Sequence, residues 1–205
     1  LNFIGIDLEG VLIPEIWVAL SEKTGIKDLQ LTTKDIKDYK ELMRIRIELL
    51  KKNKIQANAL FEIAAKIEPY EGAKNFLSKI REKYQVIILS DTFFNLSSPI
   101  FKKLNYPNVF CHELLINRNN MISGMKLCIE NHKKLTIKYM QALNFKTIAI
   151  GDSLNDLGML EEAHFGILFR PSESIKNKYN KYYNCNTYTE LSSKIEKVFN
   201  INKDI

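Results

Sequence analysis

Cysteine is scarce in this 205-residue sequence, limited to Cys111, Cys128 and Cys185, and no two of them form a Cys-x-x-Cys pair. That excludes a disulfide framework, and reduced thiols in a cytoplasmic protein are the expectation. Histidine is equally scarce. His112 follows Cys111, His132 and His164 stand alone, no zinc-type spacing is completed, and all three read as ordinary packing residues. No apolar stretch approaches the ~20 residues a membrane helix requires, and the first residues enter a strand pattern instead of a basic leader. No membrane association is expected. The basic excess is small, 30 Lys+Arg against 24 Asp+Glu, a formal +6. Pairs such as Lys51-Lys52, Lys102-Lys103 and Lys133-Lys134 make no basic stripe interleaved with aromatics, so nucleic acid is not an expected partner. Internal repeats and low-complexity linkers are also missing.

What is present is enough apolar material, 45% of residues, for one well-filled core. Two apolar runs end in acidic clusters. Phe3-Ile4-Gly5-Ile6 runs into Asp7-Leu8-Glu9-Gly10, and Thr147-Ile148-Ala149-Ile150 runs into Gly151-Asp152-Ser153-Leu154-Asn155-Asp156. Buried parallel strands read as continuous apolar runs, and open α/β sheets bind ligands at the carboxyl ends of such strands. Carboxylates crowded into one crevice repel one another unless a cation intervenes. A hard divalent ion with oxygen ligands, Mg²⁺, answers that need.

Between these runs the periodicity changes. From Glu15 to Glu68 the pattern is helical: one helix from Glu15 to Gly25, a second started by Thr33-Lys34-Asp35 and running to Lys52, and a third over about 58–67, with Pro69 ending the block. Helices and strands then alternate. Helices are predicted over about 72–83, 96–104, 133–143, 156–163 and 188–199. Strands are predicted at Val86–Leu89 (stopping at Ser90-Asp91-Thr92), Val109-Phe110, Glu113–Ile116, Gly124–Leu127, the run into Gly151, and Phe165–Phe169; 180–186 reads as a loop. Alternation of this kind predicts a doubly wound α/β fold with a mostly parallel, Rossmann-like sheet. Residues 1–13 and 69–205 form its core domain, and residues 14–68 form a small helical cap inserted after the first strand.

The set Asp7 and Glu9, Ser90, Lys133 or Lys134, and Asp152 with Asp156 resembles the four ordered motifs of the haloacid dehalogenase-like phosphatase superfamily. The stretches DLEGVLIPEIW, LSDTF, GDSLND and EAHFGILF are similar to its phosphoserine phosphatase/homoserine phosphotransferase branch. The resemblance spans nearly the whole chain and implies serine-forming hydrolysis of L-phosphoserine, a small phosphorylated amino acid, with homoserine as a second phosphoryl acceptor. Another small phosphomonoester, such as a sugar phosphate or a nucleotide, stays open as substrate. A receiver-like phospho-acceptor also shares the residue types but lacks the inserted cap. No oligomeric state follows.

The resemblance assigns roles. Asp7 is the nucleophile and Glu9, two residues on along an extended segment, the general acid and base. Asp7, the backbone carbonyl of Glu9 and Asp152 hold Mg²⁺, with Asn155 and Asp156 orienting them. Ser90, with backbone N–H groups near Asp91, binds phosphoryl oxygens, and a lysine supplies fixed positive charge. Counting back from Gly151 favours Lys133, with Lys134 as the neighbour. In the cap, Glu15 meets the substrate ammonium and Arg46 clamps its carboxylate, with Met43 and Thr92 as pocket neighbours. Against these roles, Glu15 also suits the first turn of a helix and Arg46 a surface helix charge. Trp17, Phe61, Phe76, Phe93 and Phe101 read as packing residues.

Overall fold

Strands apolar on both faces have to sit inside a sheet, and Asn2–Ile6 (β1) and Lys146–Gly151 (β5) do so side by side. The computed structural model describes residues 1–33, 35, 36 and 38–200. After β1 come α1 (Ile16–Thr24), a 3₁₀ turn (Lys27–Gln30), α2 (Tyr39–Lys52), α3 (Ala57–Ala65) and α4 (Ala73–Lys83). Next are β2 (Gln85–Phe93), α5 (Phe94–Lys103), β3 (Val109–Ile116), β4 (Ile122–Lys126) and α6 (His132–Ala142), which leads into β5. A 3₁₀ turn (Leu154–Asp156), α7 (Leu157–Glu162), β6 (Phe165–Phe169), α8 (Glu173–Lys178), β7 (Tyr183–Cys185) and α9 (Tyr188–Asn200) complete the chain.

The strands form one sheet in the order β4-β3-β2-β1-β5-β6-β7, parallel except for the β3–β4 pair. Residues alternate between its faces. Ile4, Ile6, Ile88, Ile148 and Ile150 join one buried cluster, whereas Phe3, Leu89, Ala149 and Leu168 pack with Ile137, Met159 and Leu160 in another. Helices therefore cover both faces. The block between β1 and β2 contributes Leu20, Leu29, Met43, Ile47 and Leu60 to the first cluster, so it shares a core with the sheet instead of standing apart. No described helix is long and apolar enough to cross a membrane.

Register positions the chemistry. Ile6 lies opposite both Ile88 and Ile150, and the Asp7 N–H donates to the Ile150 carbonyl at 2.9 Å. Asp7 and Asp152, just past the ends of β1 and β5, and Ser90, within β2 on the other side of β1, thus lie at nearly one level. Strand order progresses outward in opposite directions from β1, through β2 and β3 on one side and through β5, β6 and β7 on the other, which opens a crevice there.

Several elements differ from the sequence expectation. The second helix begins at Tyr39, with Asp38 accepting the Lys40 N–H at 2.9 Å, not at Thr33–Asp35; Thr33 instead donates its hydroxyl to Asn155, and Lys34 lies outside the described residues. The strand expected to stop at Ser90-Asp91-Thr92 continues to Phe93, with an irregular register against β3 after Leu89. Val109-Phe110 and Glu113–Ile116 merge into β3. The helix expected over about 156–163 is α7, Leu157–Glu162, preceded by a 3₁₀ turn over Leu154–Asp156. Residues 183–185 of the expected loop pair with β6 as an edge strand, because a polar three-residue strand needs only one partner and carries no apolar signature. The short helix α8 was not predicted; Ser172 caps it by accepting the Ile175 N–H at 3.4 Å.

Gly10 has φ +76, and a Cβ there would lie 2.4 Å from Asp152 Cγ. Gly10→Ala should therefore lower unfolding free energy by at least about 1–2 kcal/mol from backbone handedness alone. Urea unfolding measures this, and an unchanged midpoint would contradict the close approach of the two acidic loops.

Candidate active site

The crevice is organised around a buried ammonium. Lys133, in the first turn of α6, places Nζ 3.1 Å from Asp7 Oδ1, 3.0 Å from Asp156 Oδ1 and 3.3 Å from Asp91 Oδ2. An ammonium has three donors, so each carboxylate can take one. Burial alone would push the lysine down, but the three carboxylates outweigh it and hold Lys133 well above its ordinary value. Asp156 is fully buried, and its other oxygen accepts the N–H groups of Asp152 at 3.0 Å and Ser153 at 3.2 Å. Gly151 makes room for it, since a Cβ at that position would lie 2.3 Å from Asp156 Cβ.

Negative charge remains in excess. Carboxylate oxygens of Asp7, Asp152 and Asp156 lie within 4.8 Å of one another. Burial, then Asp156, pushes Asp7 well above the carboxylate range, and the same two causes bring Asp152 to about 7. An all-oxygen donor set whose carboxylates resist ionising together suits a hard divalent cation. Asp7, whose Oδ1 alone is bonded to Lys133, and Asp152 are the carboxylates best placed to hold it, because both oxygens of Asp156 are already committed, one to Lys133 and the other to two backbone N–H groups.

Above the strand ends, a cavity of about 100 Å³ is lined by Asp7, Glu9, Ser90, Asp91 and Lys133 from below, and by Glu15, Trp17, Thr33, Tyr39 and Arg46 from the helical block. Glu9 Oε2 accepts the Ile16 N–H at 3.0 Å, which ties this carboxyl to the N-terminus of α1. Burial, followed by the charge of Glu15, pushes Glu9 up to about 8. Arg46 is buried, not the surface charge that was its alternative reading. Its Nε donates to the Leu29 carbonyl at 3.2 Å and its Nη2 to the Leu31 carbonyl at 2.6 Å, while the guanidinium lies 4.4 Å over the Trp17 ring. Burial pulls it down to about 10, so it stays charged at neutral pH. A guanidinium has five N–H donors, and these contacts fix its plane without exhausting them.

Asp7, Glu9, Ser90, Asp91, Lys133, Glu15, Arg46 and Asn155 thus gather around one cavity, with Asp152 and Asp156 beside it. Two residues expected there do not line it. Met43 is fully buried with Sδ 3.6 Å from Arg46 Nη1, and Thr92 turns inward to share a hydrogen bond with Ser97 at 2.7 Å. Lys134 points elsewhere, 3.6 Å from Glu162. Asn155 accepts the Thr33 hydroxyl at 2.8 Å, so it meets the helical block as well as the acidic loop. Sequence reasoning also passed over His112 and His132. Their Nε2 atoms lie 3.6 Å and 3.1 Å from Asp91 Oδ1. Only the adjacency of His132 to Lys133 hinted at this.

Fold and site together define a doubly wound α/β protein with an acidic crevice at the carboxyl edge of a parallel sheet. The chain belongs to the haloacid dehalogenase-like hydrolase family, whose profile matches residues 4–164, with a second profile of the same description over 131–200. It is 41% identical over 186 residues to phosphoserine phosphatase ThrH of Pseudomonas aeruginosa, covering 91% of each chain. To a phosphoserine phosphatase of Pseudomonas syringae pv. tomato it is 37% identical, covering 95% of this chain and 82% of the other. Among solved structures, a phospho-aspartyl intermediate analogue of phosphoserine phosphatase superposes with a TM-score of 0.78 at 20% identity, over 94% of this chain and 98% of that one. That likeness is one of fold.

If the acidic cluster takes a divalent cation, adding Mg²⁺ should raise the thermal unfolding temperature, by the equivalent of about 2.7 kcal/mol at a hundredfold excess over Kd. Asp152→Asn should lose most of that increase. An unfolding temperature indifferent to Mg²⁺, Mn²⁺ and chelator would count against a metal centre here.

Proposed function

We propose that this protein is a magnesium-dependent phosphatase that hydrolyses L-phosphoserine to L-serine and phosphate through a phosphorylated Asp7. The observation that carries the reading is the shared cavity: an acidic pair, a serine hydroxyl and a buried ammonium face Glu15 and Arg46 across a space the size of a small molecule. The phosphoserine phosphatases among its relatives support the choice of substrate.

In this reading residues 14–68 act as a specificity lid over a core of residues 1–13 and 69–205. Arg46 takes the substrate carboxylate, and Glu15 the ammonium. Asp7, Asp152 and the Glu9 carbonyl would hold Mg²⁺, which when bound neutralises charge between nucleophile and phosphate. Lys133 and the Ser90 hydroxyl hold phosphoryl oxygens, and the charge of Lys133 favours the nucleophilic carboxylate form of Asp7 against the burial and neighbouring aspartates that oppose it.

An Asp7 oxygen attacks phosphorus as the bond to the serine oxygen breaks. Glu9, pushed up to about 8 and so protonated at neutral pH, gives its proton to the departing alkoxide. Glu9, now a carboxylate, then takes a proton from water, whose oxygen displaces Asp7 from phosphorus. Phosphate leaves and Glu9 is protonated again. Homoserine in place of that water would leave as phosphohomoserine. The reading carries a cytoplasmic setting, in keeping with three free thiols.

Asp7→Asn should lower phosphate release from phosphoserine by about a thousandfold or more, with the unfolding transition retained; residual turnover near wild type would remove Asp7 from the chemistry. Arg46→Ala should reduce kcat/KM for phosphoserine by about ten- to a hundredfold, the range for a charged hydrogen bond, and spare a monoester without an amino-acid carboxylate. Equal losses on both would rule out the clamp. Because the acid form of Glu9 is needed and exists below its pKa, kcat should decline as pH rises through about 8. A Glu9→Gln profile with the same alkaline limb would assign that limb to another group.

A further inference from the structure

A second polar cluster adjoins the crevice and has no part in the reaction as outlined. Asp91 at the end of β2, His112 in β3 and His132 at the start of α6 bring one ligand atom each within 4.8 Å of the others. Their hydrogen bonding argues against a metal. His112 Nδ1 accepts the Cys128 N–H at 3.2 Å, so its own proton sits on Nε2, facing Asp91. Metal-ligating histidines are arranged the other way, donating the far N–H and offering the near lone pair. His132 Nδ1 is buried with no hydrogen-bond partner among the described residues. A bare lone pair tolerates that better than an N–H would, so the His132 proton also sits on Nε2, 3.1 Å from Asp91 Oδ1.

Asp91 is therefore held on Oδ1 by a hydrogen bond from His132 Nε2, with His112 Nε2 behind it at 3.6 Å, and contacts Lys133 through Oδ2. Burial pushes its carboxyl up, but Lys133 and the two histidines outweigh that and hold it well below the usual range. A carboxylate without such a grip would be free to swing toward the ammonium and pull it away from Asp7. The grip is walled in. The His112 ring packs edge-on to His132 at 5.1 Å, and Tyr39 and Phe93 lie against it at 5.6 and 5.8 Å. The Tyr39 hydroxyl donates to the Asp91 carbonyl at 2.7 Å, so the helical block closes over the same residue.

We propose that His132, backed by His112, is a positioning residue that holds Asp91 and, through Asp91, fixes the Lys133 ammonium beside Asp7 for phosphoryl transfer. The inference rests on the phosphatase reading, in which Lys133 and Asp7 serve the transferring group.

The test compares wild type, His132→Ala, His132→Gln, Asp91→Asn and the Asp91→Asn/His132→Ala double variant, on phosphoserine and on para-nitrophenyl phosphate. Loss of positioning should lower the kcat of His132→Ala on both substrates by about ten- to a hundredfold, the cost of a misplaced group, with KM little changed. His132→Gln, which keeps an amide N–H near the Nε2 position, should recover most of that loss. In the Asp91→Asn background His132→Ala should add nothing, since no carboxylate is left to hold. Wild-type kcat in His132→Ala, or losses that multiply in the double variant, would overturn the proposal. If His132→Ala lost its unfolding transition, His132→Asn, whose shorter amide stops short of Asp91, would replace it with the same expected loss. Wild-type protein inactive on every phosphomonoester would overturn the phosphatase reading and this inference with it; an active wild type with an unimpaired His132→Ala would overturn this inference alone.

Discussion

A single buried ammonium sets the terms for everything at the carboxyl edge of the sheet. Lys133 touches carboxylates from three separate stretches: the end of β1, the end of β2 and the loop after β5. None of the three could be buried at that density without it, and none alone would justify burying a lysine. Removing one member of such a group leaves an uncompensated buried charge, at a cost of about 3–5 kcal/mol. Even so, one cation does not balance Asp7, Asp91, Asp152 and Asp156. The remaining imbalance appears in the upward displacement of Asp7 and Asp152. The suitability of the cluster for a hard cation thus follows from how the lysine is shared.

Glu9 answers to the opposite balance. The helix N-terminus at Ile16 and the guanidinium of Arg46 both favour its anion, whereas burial and the neighbouring Glu15 favour the neutral acid. The outcome, about 8, lies near the pH at which an acid can give a proton in one step and take one back in the next. Glu15, Ile16 and Arg46, which act on this value beside burial, all come from the helical block, so the block sets the electrostatics of Glu9 as well as forming a wall of the cavity.

Much of this arrangement was legible in the sequence because it is local. Apolar runs ending in Asp-x-Glu and Gly-Asp-x-x-Asn-Asp state both the strand and the chemistry at its end, and the parallel register then places Asp7, Ser90 and Asp152 together. What escaped notice depends on rotation and long-range pairing. Thr92 was expected to face the pocket, but the irregular register of β2 after Leu89 turns its hydroxyl to Ser97. Met43 and Arg46 lie three apart on one face of α2, and spacing alone does not say which of them reaches the cavity. His112 meets His132 only because β3 runs beside β2 and α6 starts across its end, a proximity with no trace in a pattern of single residues.

The choice between Lys133 and Lys134 shows how such a rotation is fixed. Asn131 precedes α6 in the left-handed conformation, φ 57 and ψ 30, so the helix starts at once after a sharp turn. His132 and Lys133, successive residues about 100° apart around the axis, then bracket Asp91, one oxygen each, while Lys134 turns away toward Glu162. A rotation of α6 by one residue would exchange Lys133 for Lys134 and break the His132 contact as well. Asp91 is therefore the mark against which α6 is set. Its side chain aligns the lysine, and its backbone carbonyl, through the Tyr39 hydroxyl, aligns the helical block. The buried ammonium and the helical block thus take their positions from one residue near the carboxyl edge of β2, which ties the wall above the crevice to the charges below it.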